Sequence, residues 1–551
     1  MVGTPRGFRD ILPSEAMARE RISEKVRAVF SSHGYLPVET PLIEGQAALE
    51  QGGHVPASPF RLFDSDGGLL VLRPDITLAI ARMVSTRMTS GAFPLRLRYQ
   101  ASVAREESTL AGQPRQFTQL GVELVGGDGV HGEVEVVALL AESLDALEVP
   151  DWTIVCGSVS PLTALLAHCA PNEEFRARAL ELVHGSDLVG FDELVDASEL
   201  DAPARIALKR IARLAGGVEA LDELDALLAE AGIAPQERGT SDLRALTAAL
   251  PELVQQGRLR LDFSVLNSFD YYTGTVFKGY AEGITAAIAS GGRYDAVLGN
   301  YGLAGTAACG FMLSLERLQE VLGEQGESGV VAPKVRHSER PLRIAVPKGS
   351  LFKDAVKLLA AAGLPTKDLA DVGRKLIIRS EGVEYIIVRA QDAPAFVAHG
   401  GADCGMCGSD SIIEANVDLM QLVDLRFGAC RFVVAEPASA VGKAEEAYAW
   451  RGTVRVATKY PRITRAYYNR IGQQVDIVQL HGNIELGPIV GMCDRIVDIT
   501  ATGTTLKEND LVIVDDVMEC TARFFAGPAA YRSDQRIRDL AARLAAAVEE
   551  S

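Results

Sequence analysis

No stretch of the chain approaches the roughly 20 consecutive apolar residues that a membrane-spanning helix needs, although 48% of its 551 residues are hydrophobic. The opening residues, MVGTPRGFRD, lack the apolar core of a secretory leader. Cysteine is sparse and scattered, eight in all, which excludes the disulfide framework of a small secreted domain. Cys404 and Cys407 form one CxxC without a second pair, and read as small residues at a glycine-rich strand end rather than as zinc ligands. Positive charge is in deficit, 55 Lys and Arg against 73 Asp and Glu, for a net charge of −18. Such a surface repels polyphosphate at long range and excludes a general nucleic-acid binder. It leaves room for small phosphorylated substrates held by a few local cations. These absences point to a cytoplasmic enzyme with no membrane partner.

The length exceeds what a single core supports. A polar stretch, GEQGESGVVAPKVRHSER, spans Gly323 to Arg340 and reads as a linker (323–340) between dissimilar halves. The first half, 1–322, opens with an amphipathic helix after Ser14 that places Ile22, Val26, Val29 and Phe30 on one face and stops at Gly34. Strand-like runs follow (LLVLRPD, LRLRYQASVARE, QFTQLGVEL), then an Ala- and Leu-rich helical insert over about 161–254, then strands again (LRLDFSVL, YYTGTVFKGY). That order predicts an α+β domain with a mainly antiparallel sheet. The second half, 341–551, alternates short Val/Ile runs (LRIAVP, VEYIIV, RFVVAE, VRVATKY, VDIVQL, RIVDIT, LVIVDD) with helical segments, and predicts α/β organisation with largely parallel strands. A terminal helix capped near Ser533 turns Ile537, Leu540, Leu544 and Val548 inward.

One segment carries chemistry by itself. In DRIVDITATGTTL an apolar run ends in Thr500, Ala501, Thr502, Gly503, Thr504 and Thr505. Small hydroxyl residues and a glycine at a strand's carboxyl end let backbone N–H groups approach a phosphate. The alternative is a polar loop before the next element. Downstream, LVIVDDVMECTA resembles the ribose-phosphate signature of the commonest phosphoribosyltransferase class, but Ala522 stands where that signature has glycine. Asp515 and Asp516 therefore read as strand-end, structural or solvated carboxylates.

ELGPIVGMCDRIVDITATGTTL, with LRIAVPKGSL, YIIVRAQDAPAFVAHGGADCGMCGSD and VRVATKYP in the same order, resembles the ATP phosphoribosyltransferase family. Cys493 and Ser409 depart from the usual residues. The resemblance implies a two-lobed α/β domain resembling type II periplasmic binding proteins, with lobe I at about 341–430 and 517–551 and lobe II at about 431–516. It implies that adenine N1 of ATP attacks C1 of phosphoribosyl pyrophosphate and that pyrophosphate leaves with Mg²⁺, the ion being held through the substrate. Lys348, Arg374 and Arg389 would neutralise the leaving group, and Glu485 would support the ring as positive charge develops. Asp498, Thr500, Ala501, Thr502, Gly503, Thr504 and Thr505 would hold the donor. Gly408, Asp410, Lys459 and Tyr460 would hold ATP.

The first half resembles the catalytic core of histidyl-tRNA synthetase through LRPDITLAIAR, VARE, QFTQLGVE, FDYYTGTVF, GGRYDAVLGNYG and ACGFMLSLERL. Its residues suit a zwitterion: Asp75 and Thr77 for an ammonium, Arg105 for a carboxylate, and Glu123 and Tyr272 for an imidazole. The resemblance adds Gln119 and Tyr294. The other reading is an ordinary Asp75–Arg105 ion pair among core tyrosines. Asn267 replaces the arginine that assists amino-acid activation, Gln113 follows Gly112 where arginine is usual, and Ser108-Thr109 replaces Arg-Pro. Arg317 is retained, and no anticodon-binding domain follows Leu322. These departures argue against tRNA as a partner.

Together the halves resemble a synthetase-like regulatory subunit joined to the short catalytic subunit of ATP phosphoribosyltransferase. The resemblance implies the first step of histidine biosynthesis, histidine as an allosteric inhibitor bound by the first half, and a homo-oligomer. The alternatives are an adenylate-forming or aminoacylating enzyme, a phosphoribosyltransferase for another base, and a solute-binding protein.

Overall fold

The computed structural model describes residues 3–53, 59–89, 93–106, 114–127, 129–264, 272–323, 340–500 and 503–550. The chain forms two compact units, Met1–Arg340 and Pro341–Ser551. Among the described residues no helix is long and apolar enough to cross a membrane.

The first unit is built on a nine-stranded sheet. Its order is Leu36–Pro37, Leu95–Ala104, Gln116–Val125, Ala308–Ser314, Ala289–Arg293, Thr275–Tyr280, Thr153–Ser158, Leu259–Asp262 and Ala215–Gly216. The long central pairings are antiparallel, but Leu36–Pro37 and Leu259–Asp262 each join in parallel, so the sheet is mixed. The Pro13–Ser32 helix buries Ile22, Val26, Val29 and Phe30 as its spacing predicts. Each such side chain contributes about 1.5–3 kcal/mol of burial free energy. Gly34, with φ 79°, ends the run.

Between Ser160–Cys169 and Pro251–Gln255 the chain is helical, with Asn172, Asp187 and Asp201 capping successive helices. It also supplies the two-residue strand Ala215–Gly216 at the sheet's edge. Helical spacing gives no warning of this strand, because two residues carry no periodicity.

The second unit contains two sheets. The six-stranded sheet has the order Ile377–Ser380, Val383–Arg389, Leu342–Lys348, Cys404–Gly408, Ala522–Ala526 and Met420–Asp424. The five-stranded sheet has the order Val475–Gln479, Val454–Thr458, Arg495–Thr500, Cys430–Pro437 and Leu511–Cys520. Each contains three adjacent parallel strands, central in the six-stranded sheet but at one side of the five-stranded one, where Val475–Gln479 is the edge. Antiparallel strands complete the sheets, on both sides of the parallel set in the first and on one side in the second, and the Val/Ile runs do not distinguish them from parallel ones.

The chain crosses between the two sheets twice, from Asp424 to Cys430 and from Cys520 to Ala522. These crossings fix where the strand ends lie. Gly408 pairs with Ala522, the first strand residue after one crossing. Thr500 pairs with Arg431, just after the other. The carboxyl ends of both parallel sets therefore meet at the same place, where ligands of open α/β sheets sit.

Candidate functional site

On the six-stranded sheet, Lys348 and Arg389 end adjacent parallel strands in register, and both side chains are exposed. Arg374 lies in an exposed turn before the Ile377–Ser380 strand. The carbonyl of Leu376, two residues on, accepts from Ile387, two residues before Arg389. All three cations are thus brought to one edge. Gly408 ends the neighbouring strand, and the Ser409–Ala415 helix begins there. A Cβ on Gly408 would lie 2.1 Å from Asp410 Oδ1, so that carboxylate folds back over the strand end. Burial raises the Asp410 pKa, with the Ser411 amide and the charge of Lys459 opposing.

On the five-stranded sheet the same edge carries Lys459 and Tyr460 after Val454–Thr458, Glu485 after Val475–Gln479, and Asp498 and Thr500 within Arg495–Thr500. Burial and the nearby charge of Glu485 push Asp498 up to about 6, against the Ile499 amide and Lys459. Burial, then Asp410 and Asp498, raise the Tyr460 phenol. Tyr460 packs edge-on against Phe432, with ring centroids 4.7 Å apart. Lys459 stands 5.9 Å from the Tyr460 ring centre. Lys459 therefore sits within electrostatic reach of one carboxylate from each sheet.

The cradle is partly described. Ala501 and Thr502 lie outside the described residues. Gly503 adopts φ 74° and precedes the short Thr504–Glu508 helix. A Cβ there would meet nothing within 4 Å, so the backbone conformation, not crowding, calls for glycine. Its amide donates to Thr500 Oγ1 at 2.8 Å, which removes that N–H from the donors facing an anion. Thr504 and Thr505 are exposed. Cys493 is buried beneath this edge, and a Cβ on Gly487 would come within 2.8 Å of its sulfur. The departure at Cys493 is thus matched by a glycine and stays clear of the cradle. Ser409 is buried, its amide donating to Thr521 O at 3.0 Å.

Asp515 and Asp516 are not at a strand end. They lie within Leu511–Cys520 on an exposed face, where Asp515 accepts from the Tyr467 hydroxyl and Asp516 pairs with Arg431 at 3.0 Å. Ala522 is inside the next strand, so no phosphate loop separates them. Cys404 and Cys407 belong to a central strand and are fully buried, and their thiols are raised well above the ordinary range by burial. Sequence reasoning missed Thr458, whose buried Oγ1 accepts from the Tyr460 amide at 2.9 Å and shapes that turn.

The first unit assembles its own polar pocket. Glu123 accepts from Thr77 Oγ1 at 2.9 Å and from the Tyr294 hydroxyl. Asp75 Oδ1 accepts from the Thr77 amide at 2.8 Å. Arg105 Nε donates to Pro74 O at 3.0 Å, and its guanidinium lies 4.9 Å from the Phe117 ring centre. Burial raises Asp75, and the Arg105 charge opposes it. Gln119 shares the strand face of Glu123 and is 1% exposed; among the described residues neither its amide nitrogen nor its oxygen has a partner.

Glycines make the space. A Cβ on Gly310 would lie 2.0 Å from Glu123 Oε2, one on Gly292 2.6 Å from the Tyr272 ring, and one on Gly121 2.4 Å from the Tyr99 ring. Tyr99, missed from the sequence, lies near Thr77 and Glu123 and lines the pocket as part of the core. Arg317 Nη1 donates to Ala287 O at 2.5 Å. Asn267, Gln113, Gly112, Ser108 and Thr109 lie outside the described residues, as does the linker apart from Gly323 and Arg340.

Glu123 yields a pH prediction. Burial pushes it up to about 8, above the ordinary 4.5. The folded chain then keeps a proton that the unfolded chain releases. Its contribution to stability is complete below the unfolded value and is lost as pH rises through about 8. The stability of the first unit should fall by about 1.4 kcal/mol per pH unit of increase within that window relative to Glu123→Gln. Thermal unfolding of both proteins between acid and mildly alkaline pH checks this; parallel profiles would refute it.

Residues 7–318 match the histidyl-tRNA synthetase family and residues 389–546 the ATP phosphoribosyltransferase family. The ATP phosphoribosyltransferase of Rubrobacter xylanophilus is 50% identical over 193 residues, 35% of this chain and 89% of that protein. The ATP phosphoribosyltransferase regulatory subunit of Moorella thermoacetica is 36% identical over 324 residues, 58% of this chain and 82% of that protein. A crystal structure from Bacillus halodurans, described as an ATP phosphoribosyltransferase regulatory subunit/histidyl-tRNA synthetase, matches with a TM-score of 0.55 at 26% identity, covering 71% of this chain and 93% of that one. The synthetase-like sheet of the first unit thus has a structural counterpart and the second unit a family match in sequence, and the chain belongs to the ATP phosphoribosyltransferase family, with regulatory-subunit-like and catalytic parts in one polypeptide.

Proposed function

We propose that residues 341–551, two lobes resembling type II periplasmic binding proteins, transfer phosphoribosyl from phosphoribosyl pyrophosphate to N1 of ATP, and that residues 1–322 bind histidine and inhibit that transfer. The observation that carries the catalytic reading is the convergence of both carboxyl edges at the strand crossings. It sets Lys348 and Arg389 on one side and Lys459, Tyr460, Glu485 and Asp498 on the other.

In this reading the 5-phosphate sits over Gly503, taking donors from Thr502, Thr504 and Thr505. Asp498 and Glu485 face the ribose, where a carboxylate binds hydroxyls or stabilises positive charge as the bond from C1 to the pyrophosphate oxygen breaks. Lys348, Arg374 and Arg389 take up the charge of the departing pyrophosphate. Adenine N1 already carries a lone pair, so no strong base is required, and much of the rate comes from aligning two bound substrates. The adenine lies against Tyr460, with Lys459, Asp410 and the Gly408 backbone near the nucleotide.

Mg²⁺ is a hard cation that takes oxygen ligands and is commonly carried by substrate phosphates. The donor set fits that use: Asp498 and Glu485 offer carboxylate oxygens beside Lys459, where an ion carried by the substrate would meet them. When bound, the ion neutralises pyrophosphate charge.

In the first unit, Asp75 and Thr77 take the histidine ammonium, Arg105 its carboxylate, and Glu123, Gln119, Tyr272 and Tyr294 surround the imidazole. Gln119 supports this reading, since its buried amide needs a partner. A cytoplasmic homo-oligomer follows by analogy with the relatives. The test is to mix the purified chain with ATP, phosphoribosyl pyrophosphate and Mg²⁺, follow the adduct by absorbance, and add histidine. Adduct formation that histidine suppresses is the expected result. No adduct would defeat the catalytic reading, and adduct indifferent to histidine would defeat the regulatory one.

A further inference from the structure

The Pro461–Arg470 helix begins directly after Lys459 and Tyr460, and its N-cap residue Tyr460 makes no side-chain cap hydrogen bond. A helix N-terminus leaves several N–H groups unsatisfied. Here the partner comes from the other sheet's side of the unit. Glu414, on the Ser409–Ala415 helix, accepts from the Arg462 amide at 3.0 and 3.2 Å through its two oxygens, and from the Ile463 amide at 3.2 Å. This is a capping interaction supplied from 48 residues upstream in the chain. Carboxylate charge at that end also favours the helix dipole. Gln391, two residues after Arg389, also lies near the Tyr460 side chain.

Both helices that Glu414 joins begin with residues of the proposed nucleotide site. The Ser409–Ala415 helix follows Gly408 and carries Asp410; the Pro461–Arg470 helix follows Lys459 and Tyr460. We infer that Glu414 is a positioning residue that latches the two sheets of the catalytic unit together across the nucleotide site, holding Lys459 and Tyr460 against Asp410. It rests on the proposal that these residues hold ATP. Glu414 touches neither substrate; it acts through the start of the helix. The donor cradle at Gly503 lies on a different strand and does not use this cap. Losing the latch should therefore weaken ATP selectively.

The experiment is steady-state kinetics of the full chain with each substrate varied in turn, for wild type, Glu414→Ala, Glu414→Gln and Lys459→Ala. Glu414→Ala should raise the KM for ATP roughly fivefold, the equivalent of one lost N-cap, with the KM for phosphoribosyl pyrophosphate within about twofold. Glu414→Gln keeps an oxygen that accepts from the same amides and should recover most of the loss, which a merely packed side chain would not predict. Should Glu414→Ala not fold, Glu414→Gln against wild type still carries the split, because the residual loss of charge at the helix start should raise the KM for ATP about twofold and leave that for the donor unchanged. If Lys459→Ala raises the KM for ATP while neither Glu414 variant does, the latch is overturned and the nucleotide site stands. If Lys459→Ala leaves the KM for ATP unchanged, both fall.

Discussion

Gly503→Val should lower kcat/KM for phosphoribosyl pyrophosphate by roughly a hundredfold, the scale on which displacement of a substrate anchor by about 1 Å costs catalysis. Nothing would clash with the new side chain, because a Cβ at Gly503 finds open space. The loss arises from the backbone. At φ 74° a β-branched residue is strained, by about 1–3 kcal/mol. The chain relaxes by leaving that conformation. It then breaks the bond from Gly503 N to Thr500 Oγ1 at 2.8 Å and that from Lys507 N to Gly503 O at 3.1 Å. Thr504 and Thr505 move with it. Gly503→Asn is the discriminating control, since Asn tolerates the left-handed region, and it should stay within about tenfold of wild type. The KM for ATP should hardly change in either. Steady-state kinetics with thermal unfolding as a folding check decides the matter; a valine variant with normal donor kinetics would remove the phosphate from this loop.

Much of this architecture can be read from side-chain periodicity. The seven Val/Ile runs of the second half each mark a strand, and the terminal helix buries Ile537, Leu540, Leu544 and Val548. Its cap is Asp534 rather than Ser533, because Ser533 ends a separate short helix and its hydroxyl donates to Ala529 O. Two abutting helices present one polar boundary to a local reading. Strand direction is illegible for a related reason: Cys430–Pro437 is as apolar as the sheet's parallel strand Val454–Thr458, and only the crossing at Asp424 makes it antiparallel to its neighbours. Cys404–Gly408 reads as a glycine-rich strand end, but its small residues hide that the strand is central.

The site divides along the same line. Lys348, Arg389 and the Gly503 turn sit at strand ends that the chain pattern marks. Thr458 and Glu414 work through main-chain amides, Thr458 within its own turn and Glu414 from 48 residues away, and neither carries a motif. Tyr99 is an aromatic in a strand, indistinguishable by composition from ordinary core. Asp515 and Asp516 show the converse, a motif-like pair of carboxylates that a tyrosine and an arginine occupy for structural ends.

The remaining large effect concerns inhibition. Asp75→Asn should raise the histidine concentration needed for half-inhibition at least roughly thirtyfold, the lower end of what removing one partner of a buried charge pair costs. Asparagine is the informative choice. Its side-chain oxygen still accepts from the Thr77 amide, now at 2.8 Å, so the turn before the Thr77–Arg87 helix keeps its shape while the charge is lost. Asp75→Ala loses both and should relieve inhibition further. Turnover without histidine should stay within about twofold in the asparagine variant. A ligand that inhibits by favouring one of two conformations must obey reciprocity, so saturating substrates should weaken histidine binding by the factor by which histidine weakens theirs. Titration calorimetry of histidine into the wild-type chain with and without substrates measures that factor. Full inhibition of Asp75→Asn at the wild-type concentration would move the effector out of the pocket built around Glu123, and would leave the unpaired amide of Gln119 to be explained by some other ligand.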